Sequence, residues 1–336
     1  MRKIYTIVSI MSALFLLTGC GTKRQYFEPE NVDLKANLDH TLPSYILTTS
    51  TNGAILQNGM VVTKNGVLSD DINFSKDTIL LNAYDDKIIT SSLDGNLMVT
   101  SKTKEVLFQR SFNEAIVSAA IEGNKLALIT ASNVIYLIDT IKNTNLLEFE
   151  SSDIYTQDSR VAAPYFMSSL VIFPTLDGKI MIVDKSQGRI LKDVVISSEE
   201  FFNNIIFLEV INDTMIAATG KKIVAINPER TLYYNGEIKN IVSHKDRLYI
   251  LKKDGEILLT DINLQKLNSI NFKFAIFSNA ITLDDYLYVI EKKGYLIKAD
   301  LDLKNHQIFR LSDEIEDKSF IGFREFYYDN KYLKLK

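Results

Sequence analysis

The chain has 336 residues, 38 basic and 42 acidic side chains, and a formal net charge of −4. That balance, with no run of Lys or Arg, argues against a nucleic-acid partner. Its single cysteine, Cys20, excludes an internal disulfide and any cysteine-built metal site.

At the N-terminus, Met1-Arg2-Lys3 precede an apolar run from Ile4 to Leu17, followed by Thr18-Gly19-Cys20. A basic start, a short apolar core and small residues at the cut make residues 1–19 a secretory signal peptide. The run is short for a helix crossing a bilayer of ~30 Å. Leu17-Thr18-Gly19-Cys20 resembles the bacterial lipobox, which implies cleavage before Cys20 and lipidation of its thiol. Two or three acyl chains, at ~0.8 kcal/mol per buried methylene, hold a soluble domain at a membrane for long times. In the lipoproteins it resembles, an Asp after the cysteine favours inner-membrane retention. Gly21 stands there instead, which implies the periplasmic face of the outer membrane of a Gram-negative cell.

Residues 20–43 are polar and lack an apolar period, as in Thr22-Lys23-Arg24 and Glu28-Pro29-Glu30. They read as a lipidated flexible tether.

From residue 44 to 336 short runs of Ile, Val, Leu, Tyr and Phe alternate with turn residues, and no helical period is present. One unit is Ser169-Leu170-Val171-Ile172-Phe173, a turn at Leu176-Asp177-Gly178, then Lys179 to Asp184 and Gln187 to Leu191. Similar units centre on Asp254-Gly255 and Lys293-Gly294, and weaker ones on Asp94-Gly95, Ser132-Asn133 and Gly220-Lys221. The matched turns recur every ~40 residues, the mark of four-stranded propeller blades. Asp-Gly predicts two-residue hairpin loops with positive φ at both central positions. The fold expected is all-β, a single β-propeller of four-stranded antiparallel blades closed by pairing N- and C-terminal strands. The final segment, Phe326 to Leu333, reads as two strands of a split blade completed by Tyr45-Ile46-Leu47-Thr48-Thr49. Counting a short unit over residues 54–66 gives eight blades, the favoured number; seven result if residues 45–66 all belong to the split blade.

The stretch from Leu176 to Ile190 resembles the repeat of the quinoprotein-like (PQQ-like) propellers, roughly Gly-x-apolar-x-Ala-apolar-Asp-x-x-x-Gly. With the lipobox, the whole is similar to the BamB-like propeller lipoproteins of the outer-membrane barrel-assembly machinery. The resemblance covers residues 44–336 as architecture and is close only over 162–195. The chain departs from it in having no Trp; Leu107, Leu147, Leu191 and Phe309 stand near the position where such blades carry one. The resemblance implies a non-catalytic scaffold for assembly or insertion of β-barrel outer-membrane proteins. Its implied partners are β-barrel assembly (BamA-like) proteins, with the chain a monomeric subunit of their complex. The implied partner-binding loop is Ile154 to Pro164, in which Ile154, Tyr155 and Arg160 are the types that anchor interfaces. A plain surface loop is the alternative.

Chemistry is harder to find. A bound quinone needs a Trp platform and often a cysteine pair, and neither is encoded, so no cofactor is expected. His40, His244 and His306 share no metal-ligand spacing. The carboxylate pairs Asp70-Asp71, Asp85-Asp86, Glu199-Glu200 and Asp284-Asp285 fall at turns and loop ends, where Asp bonds its own backbone. Asp139, Asp184, Asp261 and Asp300 recur at one position of the repeat, which marks a structural role. No catalytic residue, cofactor site or metal site is assigned. An enzyme or small-molecule binder using the propeller channel, and an envelope-organising or adhesion lipoprotein, are the alternative functions.

Overall fold

The structure, a computed structural model, describes residues 25–32, 34–67, 74, 77–103, 105–156 and 158–336. The signal peptide and Cys20 lie outside the described residues. Every regular element among the described residues is a β-strand. Eight antiparallel four-stranded sheets form the blades of a propeller.

The first blade is small, spanning 46–67, and six fuller blades span 78–111, 116–150, 165–195, 207–235, 238–271 and 277–311. The eighth combines Ser319–Gly322, Glu325–Tyr328 and Lys331–Lys334 with a strand from the other end of the chain. Apolar runs such as Leu248-Tyr249-Ile250-Leu251 are wholly buried because a second strand meets a neighbouring blade on each side. Each such side chain contributes ~1.5–3 kcal/mol on burial.

Strand direction defines two faces. Connectors between blades and the turns between second and third strands share one, here the connector face. First-to-second and third-to-fourth turns share the other. The first strands approach one another around the centre. Five of them carry a bulge, with register shifts at Ile46/Thr48, Leu80/Asn82, Ile116/Ser118, Ile238/Asn240 and Phe277/Asn279. A bulge re-aims the side chains beside it, and here polar groups reach the next blade. Asn82 Nδ2 donates to the Ala119 carbonyl at 3.1 Å and Ser118 Oγ to that of Ala162 at 2.8 Å.

The turns differ from the expected two-residue loops. At Asp254-Gly255 only the glycine has positive φ (90°), and its N–H bonds the Lys252 carbonyl three residues back. Glycine is needed there for a second reason. A Cβ on Gly255 would overlap the Phe272 carbonyl of the passing connector, whose N–H bonds the Gly255 carbonyl at 2.9 Å. Gly95 and Gly294 repeat the arrangement. The recurrent aspartates are structural: Asp139 Oδ1 accepts from the Ile141 and Lys142 amides, and Asp184 Oδ1 from those of Ser186 and Gln187.

Two expectations are corrected. The ring is closed not by residues 45–49 but by β2 (His40–Thr41), which pairs antiparallel with Lys331–Lys334, register His40↔Tyr332 and Thr41↔Lys331. The C-terminal segment supplies three strands, and Ile46–Ser50 is the first strand of the first blade. The stretch read as a tether is docked from residue 25 onward. Its β1 (Leu34–Ala36) lies parallel to His306–Leu311 as a fifth strand on the seventh blade. Phe27, Leu38 and Leu42 are buried beneath this strap. Burial of these three scattered apolar groups, with an edge strand to pair against, outweighs the polar character of the segment.

Candidate docking surface on the connector face

The connector from blade three to blade four holds Ile154, Tyr155 and Arg160; that from blade four to five holds Glu199 to Asn204. Asn204, fully buried, stitches them together. Its Oδ1 accepts from the Asp158 amide at 2.6 Å, and its Nδ2 donates to the carbonyls of Arg160 (2.6 Å) and Asp158 (3.3 Å).

The three residues singled out from sequence part company here. Tyr155 is 73% exposed. Ile154 turns inward against the core between blades three and four. Arg160 folds back on Asp158, its Nε 2.8 Å from Oδ1 and its Nη2 also bonded to that carboxylate. Burial pushes the Asp158 carboxyl up, but the bonds from Arg160 outweigh it and hold the group below its ordinary range. Arg160 is thus a loop-shaping residue rather than an outward anchor.

Two residues missed in the sequence take its place. Phe201 and Phe202 are 49% and 58% exposed, and the Tyr155 and Phe201 rings lie 6.2 Å apart at 54°. Phe202 is held at φ 54°, a conformation uncommon for a bulky side chain. Phe201 and Phe202 border a cavity of about 500 Å³ lined also by Asp158, Glu199, Glu200, Lys221 and Lys253. Lys221 bonds Glu199 at 3.0 Å, which raises its pKa, and Lys253 bonds Glu237 at 2.8 Å. Glu200 is exposed and makes no ion pair among the described residues. An apolar rim with an unneutralised carboxylate suits a protein surface that offers apolar and cationic side chains. The doublet Phe201-Phe202 inside an otherwise polar loop was the available signal.

Among the described residues no group of three or more His, Cys, Asp or Glu side chains is placed to hold a metal ion. His40 stacks on Tyr332 at 4.8 Å and His306 meets Phe272 edge-on at 5.2 Å.

No family model matches the chain. The solved structure of BamB from Moraxella catarrhalis superposes with a TM-score of 0.67, covering 88% of this chain and 99% of that one at 15% identity. The chain has a BamB-like fold. The computationally designed Ika8 protein is similarly alike, with a TM-score of 0.64 at 14% identity over 90% of this chain and 99% of that one. In sequence, the chain is 31% identical over 325 residues to plasminogen-binding protein PgbB of Helicobacter pylori strain J99, and 31% over 328 residues to its counterpart in strain 26695. Each match takes in 84% of this chain, which spans about 60% of the length of these curated relatives.

Proposed function

We propose that this chain is a non-catalytic, protein-binding propeller, held at the periplasmic face of an outer membrane by lipid on Cys20 and docking its partner on the patch of Tyr155, Phe201 and Phe202. The observation that carries the reading is its 31% identity to proteins named for binding another protein, plasminogen. A rigid ring with preformed loops suits such work, because little ordering entropy is lost on binding. For the process served, the lipobox and repeat resemblance support assembly of β-barrel outer-membrane proteins, with barrel-assembly proteins as partners. The Helicobacter relatives favour a second reading, capture of a plasminogen-like protein.

Affinity capture from detergent-solubilised envelope, with and without added plasminogen, separates these. Wild type is expected to co-purify with barrel-assembly proteins, and a Tyr155→Ser/Phe201→Ser/Phe202→Ser variant to lose them while keeping its melting temperature. Plasminogen capture without barrel components selects the second reading. A bound small molecule with neither protein present would overturn both.

A further inference from the structure

Tyr26 and Phe27 fix where the described part of the strap begins on the propeller. Phe27 is buried between the sixth and seventh blades, edge-on to Phe272 and Tyr295. The Tyr26 ring lies 4.4 Å from the ammonium of Lys293, in the second turn of the seventh blade. That ammonium also bonds Glu314, in the connector to the eighth blade, at 2.8 Å. Turn and connector both belong to the connector face, so Tyr26 sits at that face.

Tyr26 stands six positions after Cys20, with five residues between them. Fully extended, those six steps reach roughly 20 Å. Resting on the lipid anchor proposed above, we infer that the connector face at blades six and seven stands against the lipid surface, so that the propeller is held face-on to its membrane. The exposed groups beside this start of the strap fit that neighbour. Phe274, two residues beyond the Phe272 that receives Phe27, is 39% exposed at φ 68°. The Lys273 ammonium sits 5.0 Å from its ring. An aromatic ring beside a flexible cation suits the headgroup layer, where the ring lies shallow and the ammonium stays wet. Tyr155, Phe201 and Phe202 share this face, so a protein filling that patch is itself held at the bilayer surface.

The chain has no Trp, which makes single-Trp reporters clean. The full-length lipidated protein would be reconstituted into phosphatidylethanolamine–phosphatidylglycerol vesicles carrying a dansyl headgroup acceptor. Reporters are Phe274→Trp and, as a second variant on the connector face, Phe201→Trp. Phe323→Trp, 57% exposed in the first turn of the eighth blade, reports the opposite face. Energy transfer from position 274 or 201 is expected to exceed that from 323 several-fold. Inserting about twenty Gly/Ser residues after Gly21 should abolish the difference by freeing the orientation. Equal transfer with the natural leash, or stronger transfer from position 323, overturns the orientation while leaving the anchor intact. Failure of the wild type to float with vesicles overturns the anchor and the orientation with it.

Discussion

Phe27 meets Phe272 edge-on, their centroids 5.9 Å apart and their planes at 89°. The contact joins the N-terminal strap to the sixth-to-seventh connector. Phe27→Ala should cost about 3 kcal/mol, the low end for a buried Phe, because the rim can relax. Limited proteolysis should then cut within residues 25–41 well before the blades. A strap as protected as in the wild type would contradict the docking role given to this ring.

Gly255 and Gly123 both have positive φ, at 90° and 59°, yet only Gly255 has a carbonyl where a Cβ would go. Gly123→Ala should therefore cost about 1 kcal/mol, the backbone penalty alone. Gly255→Ala should cost at least twice that, since the connector at Phe272 must shift as well. Thermal melting of the two variants checks the order.

Asn204→Ala removes three hydrogen bonds that shape the loop beneath Tyr155. With buried backbone groups left unpaired, the loss should be about 1–3 kcal/mol. Hydrogen exchange at the Asp158 and Arg160 amides should quicken while that of the second strands of the blades stays slow. Partner capture should weaken as Tyr155 and the Phe201-Phe202 pair lose their common frame.

Asp139 carries a pH signature. The hydrogen bond from Lys125 (2.7 Å), then the Lys142 amide, holds its pKa near about 2 against an ordinary 3.8. A depressed carboxyl stabilises the fold above the unfolded value and loses that contribution as pH falls through the folded one. Asp139→Asn should thus melt below wild type at pH 7, and the gap should close between about pH 4 and pH 2. A gap independent of pH would show that shape, not charge, is what this position supplies.

Much of the ring was legible because its determinants are local and periodic. Asp184 and Gly178 mark turns by their own backbone chemistry, and six copies of a weak pattern reinforce one another. The turn type was misread at Asp254-Gly255 because the connector's approach to Gly255 is tertiary. Gly220-Lys221 stands at a matched turn of the repeat, yet neither residue has a positive φ. The strap escaped notice because Phe27, Leu38 and Leu42 have no period, and the edge they cover belongs to the far end of the chain. Ile154 and Tyr155 look equivalent in sequence. Which of them faces solvent depends on Asn204 and the loop it ties down.

His40 pairs with Tyr332, a residue made long after it. The sheet that begins with His40–Thr41 cannot be completed until Lys331–Lys334 has emerged. Intermediate blades can form as local hairpins, whereas the closing pair must find each other across the longest loop in the molecule, at high entropic cost. Until then the outer edge of the eighth blade, at Lys331–Lys334, stays unpaired and sticky. The two-residue strand at His40–Thr41 therefore acts as a clock on maturation, setting when a newly made chain stops being vulnerable to its neighbours.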